Sequence, residues 1–332
     1  MSSESAGMPR AEPSALHAPP SLRTFAAMLL LAVMWGLSIP ATKLGLLTLP
    51  PLTLTALRFA IAVPLLLFFA AGKRRLPRRA LPRIAALGIL GIGVGQVAQT
   101  LGVVDASASV GAIISATIPV FVVLFAALRL KQAVSGRQVL GLLAAFAGIA
   151  LVASGNGDET AAMLQASASG AGLLLLSAVA IAFYYVWSVE LTAAYGVAAV
   201  AAWSTLFGFI ALSPWAGWEM TRVPFRLTVD GVGAAIYLGV VVTVAGLFLW
   251  LNLLRAVPAR TAAGVQYLQP VVGVLASSAM FGDKLGALFI VGVILVLAGL
   301  ALSMASRRKA DRRPSEMVGV AGFEPTTPSP PD

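Results

Sequence analysis

The sequence predicts an all-α membrane protein with ten transmembrane helices in two inverted five-helix repeats. Three observations support this prediction: the apolar composition, the spacing of the charged residues and an internal repeat. Hydrophobic residues fill 59% of the 332 positions and charged residues only 11%. Soluble domains carry roughly 25% charged residues, so this chain lacks the polar side chains that a water-exposed surface requires. We therefore expect lipid to surround the folded chain.

The charged residues mark where transmembrane helices fit. Because charges are costly in hydrocarbon, uncharged stretches of about 20 residues are candidate spans. Longer stretches with one or two charges have room for two helices, which are expected to meet at Leu49-Pro50-Pro51, after Asp105 and after Glu190. The predicted spans are 25–47, 53–71, 84–104, 107–128, 139–155, 170–190, 197–217, 231–254, 261–281 and 286–305.

The chain divides into four predicted regions. Residues 1–24 and 307–332 are polar, proline-rich tails that we expect to be disordered, since they have too few apolar residues to form a core. Residues 25–157 form the first predicted five-helix repeat, and residues 158–306 form the second.

The basic residues predict the orientation. If the N-terminus is cytoplasmic, 18 of the 23 Lys and Arg residues fall in cytoplasmic segments, while Arg222, Arg226 and Lys284 lie outside. Cytoplasmic loops of membrane proteins are enriched in Lys and Arg. We therefore expect the protein to lie in the plasma (inner) membrane with both termini in the cytoplasm. The net charge of +10 then needs no nucleic-acid partner.

An internal repeat relates the two halves. With a shift of 151 residues, 84–154 align with 235–305 without a gap, and 14 of 71 positions are identical. The matches include Pro119 with Pro270 and the blocks 147–151 and 298–302. Because each half holds five predicted spans, an odd number, the second half enters the membrane from the opposite face. Inverted repeats of this kind are common in secondary transporters, which bind their substrates near the membrane midplane.

Residue types that carry enzyme chemistry are scarce. The chain has no cysteine, and its single histidine, His17, lies in the N-terminal tail. A thiolate or histidine metal site is therefore excluded, and no cofactor is indicated. The alternatives to a transporter are a lipid-modifying enzyme within the membrane, which needs a nucleophile–base pair or a metal cluster, and a membrane receptor or scaffold. We expect a small-molecule substrate and a monomer or weak homo-oligomer.

Short motifs along residues 25–306 resemble the drug/metabolite transporter superfamily, in its EamA-type branch. The motifs are Met34-Trp35-Gly36, Leu57-Arg58-Phe59, Ala-x-Pro-Ala at 256–259, Gln269-Pro270-Val271 and Phe281-Gly282-Asp283. Gln269 and Asp283 replace the glutamates that are usual in this family, and Leu130-Lys131-Gln132 lacks the usual acidic residue. The resemblance implies export of metabolites, often amino acids, and within the branch the chain is similar to aromatic amino-acid exporters of the YddG type.

Polar side chains inside predicted spans are the candidate substrate-binding residues. Uncharged polar groups in a membrane prefer the interior of the bundle, and pairs spaced three or four residues apart share a helix face. An alternative role for the same residues is to hold helices together. The candidates are Trp35, Ser38, Gln96, Gln99, Ser115, Tyr184, Trp187, Gln266 and Gln269.

Two cations and two prolines complete the candidates. Lys43 and Arg58 are expected near the external ends of their spans, where they attract a carboxylate, hold the outer gate or extend to the lipid headgroups. Asp105 is a possible partner for either. Pro119 and Pro270 each weaken a helix locally, which predicts gating bends in opposite halves of the membrane or static kinks.

Overall fold

The computed structural model describes residues 22–71, 76–130, 136–154, 161–256, 265–283 and 285–304. Residues 1–21 and 305–332, which hold His17 and nearly all of the predicted tails, lie outside the described residues, as does Lys284. Residues 22–24 were expected in the N-terminal tail, but they belong to the first helix.

The described residues form ten helical elements, several of them interrupted. They are α1 (Leu22–Gly36 and Ser38–Leu46), α2 (Pro51–Ala70), α3 (Arg78–Asp105), α4 (Ala108–Ser115 and Ile118–Leu130), α5 (Gly136–Ser154), α6 (Ala161–Trp187 and Val189–Tyr195), α7 (Val197–Arg222), α8 (Val229–Ile236, Tyr237–Ala245 and Gly246–Ala256), α9 (Val265–Phe281) and α10 (Ala287–Met304).

Long apolar helices confirm an all-helical membrane protein. In the described part of the chain, six helices are long and apolar enough to cross a membrane: Leu22–Leu46, Pro51–Ala70, Arg78–Asp105, Ala168–Trp187, Val197–Arg222 and Val229–Trp250. Shorter apolar helices occupy Ala108–Val122, Val139–Gly148, Leu268–Phe281 and Ala287–Gly299. Their outward-facing side chains are apolar, as a lipid environment requires.

The helix boundaries follow the local sequence. Proline lacks the N–H that continues a helix but suits its first turn, and α2 begins at Pro51, as the Leu-Pro-Pro sequence predicts. The expected turn after Asp105 is also present, where the Ser107 hydroxyl accepts a hydrogen bond from the Val110 N–H at 3.2 Å. The α7 helix continues to Arg222 rather than ending at 217, which places Glu219 inside it.

Two helices that we expected to be continuous are broken about one turn before a proline. The α1 helix is interrupted at Leu37, ahead of Pro40, and α4 is interrupted at 116–117, ahead of Pro119. A proline cannot donate to the carbonyl four residues earlier, which here belongs to Gly36 or Ser115. The sequence analysis placed Pro119 in the interior of a helix, but it is the second residue of a new helix segment.

Contacts between helices repeat across the two halves. The α1 helix packs against α8 and α9, and α6, its counterpart, packs against α3 and α4. Likewise α2 packs against α8 while α7 packs against α3. Each of the pairs α2–α7, α4–α9 and α5–α10 brings repeat-related helices together. The α5–α10 crossing is close because Gly148 lies against Gly292, and Gly299, the counterpart of Gly148, lies against Gly141.

Two π-helical segments occupy equivalent positions. They cover Leu87–Gly93 in α3 and Tyr237–Ala245 in α8. The 151-residue shift places the first of them on residues 238–244 of the second. A π-helical segment changes the local hydrogen-bond pattern of a helix and often lies at a functional site. The internal repeat therefore extends from the sequence to the local distortion of the helices.

Candidate functional site

A polar cluster connects the two halves at the π-helical segment of α8. The Arg58 guanidinium of α2 donates from Nε to the Thr243 hydroxyl of α8 at 3.0 Å. From Nη1 it donates to the Gln96 side-chain oxygen of α3 at 2.5 Å. The Thr243 hydroxyl in turn donates to the Leu238 carbonyl, five residues earlier, at 2.7 Å. We call Trp35, Arg58, Gln96 and Thr243 the polar crossing.

Arg58 lies deeper than the sequence analysis expected. It is seven residues after Pro51, the first residue of α2, which corresponds to about 10 Å along the helix axis. Only 8% of Arg58 is exposed, and its hydrogen bonds lead into the bundle. This position does not favour the alternative in which the Arg58 side chain extends to the headgroups.

Trp35 joins α1 to the same segment of α8. Its indole N–H donates to the Val242 carbonyl at 3.1 Å, next to Thr243. Its ring packs against Gly246 and lies 5.8 Å from the Trp250 ring, centroid to centroid. The Tyr237 hydroxyl adds a second link to α1 by donating to the Met34 carbonyl at 2.9 Å. The α8 segment is thus held by α1 and α2, and Arg58 links it indirectly to Gln96 of α3.

Several donors of this site have no protein partner among the described residues. These are the Nη2 group of Arg58 and the side-chain amide of Gln99, which lies one helical turn from Gln96. Neither group is completely buried. Among the described residues, the completely buried polar side-chain atoms that lack a partner are the hydroxyls of Ser109 and Ser204. Arg58 and Gln99 therefore keep hydrogen-bond donors that no described residue uses.

Lys43 has a different setting. Its ammonium group donates to the carbonyls of Val103, Val104 and Ala106 at 2.8, 3.1 and 3.0 Å. These carbonyls end α3 and have no donor within the helix. The three bonds use the donor capacity of the ammonium group, which favours a structural role. Asp105 does not form an ion pair with Lys43 or Arg58 in the described residues; instead it accepts a hydrogen bond from Ser169 at 3.3 Å.

The repeat-related π-helical segment of α3 has aromatic surroundings. Tyr184 of α6 packs against Gly91, the counterpart of Val242. Leu87 belongs to a cluster with Tyr184, Trp203 and Phe207. We call Tyr184, Trp203 and Phe207, packed around Leu87–Gly93, the aromatic crossing. The Trp35 and Tyr184 side chains therefore contact equivalent turns of the two π-helical segments.

Trp187 lies beside a surface ion pair. Its ring contacts Phe125 and Phe183 at centroid distances of 5.5 and 4.7 Å, and the Arg129 guanidinium lies over it at 5.2 Å. Arg129 also forms an ion pair with Glu190 at 2.7 Å, in which the Glu190 side chain is 68% exposed.

The remaining candidates have less specific surroundings. Ser38 is half-buried, and its carbonyl accepts a hydrogen bond from the Thr42 hydroxyl at 2.8 Å within α1. Ser115 and Gln269 are half-buried, and Pro270 lies buried inside α9. The side chain of Gln266 lies outside the described residues.

Sequence analysis missed three residues that bind across the bundle. Glu219 accepts from the Leu52 and Thr53 N–H groups at 3.3 and 2.7 Å and from the Thr53 hydroxyl at 2.8 Å. Asp283 accepts from the Ser109 N–H at 2.9 Å. Both carboxylates cap first-half helices from the second half, where an N-terminus favours negative charge. Thr243, the third, has a common residue type, and only the 151-residue alignment with the π-helical segment of α3 draws attention to it.

An apolar helical bundle with polar groups between two related halves is the architecture of a membrane transporter. The EamA-like transporter family model matches residues 22–154 and 168–305, one match in each half. The chain therefore belongs to the EamA-like transporter family. This confirms the family resemblance and the prediction of a multi-pass membrane transporter rather than an enzyme.

Relatives in several organisms are similar to this chain over most of its length. An uncharacterized transporter of Archaeoglobus fulgidus is 27% identical over 86% of this chain and 100% of its own length. A probable terminal-alkyne amino-acid exporter of Streptantibioticus cattleyicolor is 28% identical, over 86% of this chain and 94% of its own length. A probable amino-acid metabolite efflux pump of Escherichia coli is 26% identical, covering 84% and 94%.

A solved structure supports the fold. A crystal structure with 18% sequence identity superposes with a TM-score of 0.59, over 84% of this chain and 96% of the other chain. This similarity concerns the path of the backbone.

Proposed function

We propose that this protein exports small metabolites, with amino acids (aromatic or other apolar ones) as the favoured class, by alternating access. The observation that carries the proposal is the polar crossing, where Arg58 of the first half binds Thr243 of the second half deep in the bundle. Two relatives are named as exporters of amino acids or their metabolites. Their names favour the substrate class.

The proposed architecture has ten transmembrane helices in two inverted repeats. The equivalent π-helical segments and the matching helix contacts of the two halves support it. Five helices in each half reverse the second half relative to the first, so one conformation of the site opens to each face of the membrane. With the basic residues 78, 79, 83, 129 and 137 on the cytoplasmic side, both termini are cytoplasmic.

The proposed site lies between α1, α2, α3 and α8. The Gln99 amide and the free Nη2 group of Arg58 supply hydrogen-bond donors, and Trp35 with Trp250 supplies an apolar wall. The break before Pro119 and the proline inside α9 provide flexible points in two repeat-related helices. We propose that these points bend in opposite halves of the membrane as the site changes sides.

Efflux from proteoliposomes tests the proposal. Vesicles containing the purified protein and loaded with labelled amino acids are expected to release them unchanged, faster than protein-free vesicles. Gln96→Ala is expected to reduce the rate severalfold, because Arg58 loses the acceptor that positions it. Thr221→Ala is the matched control, since the Thr221 hydroxyl is exposed and bonds within its own helix.

Each outcome of the efflux assay has a clear meaning. Release of a chemically altered solute would favour a membrane enzyme over a transporter of intact molecules. Equal rates for Gln96→Ala and wild type would place the substrate elsewhere. Reporter fusions after residue 83 and after residue 306 test the topology, and an external signal from either fusion would contradict the proposed inverted arrangement.

A further inference from the structure

Arg58 is a buried cation surrounded by neutral partners. It is 8% exposed, and the side chains that accept its hydrogen bonds are a threonine and a glutamine. Among the described residues the ion pair found is Arg129–Glu190, so no described carboxylate pairs with Arg58. A charge removed from water is costly unless it is paired. The buried charge of Arg58 is therefore not compensated by any carboxylate among the described residues.

The hydrogen-bonding geometry leaves room for a negative group. A guanidinium has five N–H donors in a planar fork, and the described residues use one on Nε and one on Nη1. The two donors on Nη2 have no described partner, and Nη2 is not among the fully buried unpaired atoms of the described residues. Thr243 and Gln96 fix the plane of the fork, and a carboxylate matches this donor pattern.

The other intramembrane cation does not provide the same opportunity. The Lys43 ammonium is bound to three backbone carbonyls at the end of α3. A substrate would have to displace these bonds and expose the carbonyls. Arg58 is therefore the cation that has both unused donors and an uncompensated charge.

We propose that Arg58 pairs with a carboxylate of the transported molecule and so selects carboxylate-bearing cargo over the corresponding neutral amides. This inference rests on the proposed function and assigns one substrate group to one side chain. Thr243 and Gln96 are positioning residues. Trp35, whose N–H binds the Val242 carbonyl beside Thr243, pairs with Trp250 to receive an apolar part of the cargo.

Binding of matched ligands tests the inference. The affinities of phenylalanine and phenylalaninamide for the purified full chain are compared by calorimetry, and the same is done for leucine and leucinamide. We expect wild type to prefer each acid by about tenfold or more, as hydrogen bonds to a charged group imply. Arg58→Gln is expected to remove this preference, because the acids lose a charged hydrogen-bonding partner and the amides lose only a neutral acceptor's bond.

A second variant covers the case in which Arg58→Gln does not fold. Arg58→Lys keeps the charge without the planar fork, and we expect it to retain a reduced preference for the acids. An acid preference that persists unchanged in Arg58→Gln would overturn the inference. So would equal losses for acid and amide in a folded variant, because they indicate that Arg58 only holds the helices together.

The design separates this inference from the proposed function. Wild-type vesicles that export solutes without a carboxylate but no amino acid would overturn the role of Arg58 while leaving transport intact. Wild-type vesicles with no flux of any tested metabolite would overturn the proposed function, and carboxylate selection by transport with it.

Discussion

The polar and aromatic crossings occupy equivalent positions but differ in chemistry. Each is built on a π-helical segment, and in each a large aromatic side chain, Trp35 or Tyr184, contacts an equivalent turn. Only the polar crossing contains a buried cation and its acceptors. The repeat-related position for Thr243 is Ile92 in the aromatic crossing. The two copies therefore share the backbone path while their side chains differ in chemistry.

The helices that meet these crossings also begin differently. The N-terminus of α2 is capped by Glu219, which is only 7% exposed. The repeat-related α7 begins after Gly196, whose φ of 85° is accessible to glycine at little cost, and it has no side-chain cap. The helix that carries Arg58 is thus anchored from the opposite half. The helix of the aromatic crossing has no comparable cap.

The largest expected effect concerns the close approaches at both crossings. In Gly88→Ala the new Cβ meets the Ser204 backbone, and in Gly239→Ala it meets the Arg58 carbonyl at 2.9 Å. Backbone atoms cannot move aside easily, so we expect each variant to lose about 1–3 kcal/mol of stability. Thermal unfolding in detergent measures the loss, which is expected to be larger for Gly88→Ala.

Gly233→Ala is the matched control for these variants. Its added Cβ meets nothing within 4 Å, and alanine favours the helix, so the melting temperature is expected to stay the same or rise. If Gly88→Ala and Gly239→Ala have the same melting temperature as the control, the π-helical segments do not pack closely against the Ser204 and Arg58 backbone.

A second prediction concerns the cap of α2. Glu219→Ala leaves the Leu52 and Thr53 N–H groups without their acceptor, and we expect a loss of about 1–3 kcal/mol. Glu190→Ala removes an exposed ion pair and is expected to cost about 0–0.5 kcal/mol. Comparing the two melting temperatures measures the difference, and similar values would show that α2 is not anchored by Glu219.

The smallest expected effect concerns the indole N–H groups of Trp35 and Trp203. Trp35→Phe keeps an aromatic ring but removes the N–H that binds the Val242 carbonyl, at a cost of about 0.5–1.5 kcal/mol. In Trp203→Phe, at the aromatic crossing, the indole N–H has no partner among the described residues, so that contribution is absent. The difference between the two unfolding midpoints isolates the hydrogen bond. A greater loss in Trp203→Phe would contradict the assignment.

Much of the fold is predictable because its signals are local. Charge-free stretches identified the helices, and Pro50-Pro51 identified the start of α2, because desolvation of charge and loss of a proline N–H act over a few residues. The break in α1 was missed although Pro40 carried the signal, whereas Pro119 predicted a local weakening of α4. The extension of α7 to Arg222 was missed because a glutamate such as Glu219 indicates the end of a transmembrane helix unless its binding partners are known.

The candidate site was predictable only in part. Gln96 and Gln99 share a helix face, and they were expected in the bundle interior because uncharged polar groups in a membrane prefer it. Arg58 was expected near the external face because the second span was predicted to run inward from that face. Its acceptors are 38 and 185 residues away, and no periodicity connects α2 to α8.

The sequence by itself determined a membrane-embedded chain, the approximate limits of its helices and an internal repeat. Composition and proline act through local free energies, and duplication remains visible as matching residues. The tertiary structure decided which helix faces meet, and so which polar groups satisfy each other. It joined Arg58 to Thr243 and Glu219 to Thr53, because a buried charge is stabilised only by groups that folding brings within hydrogen-bonding distance.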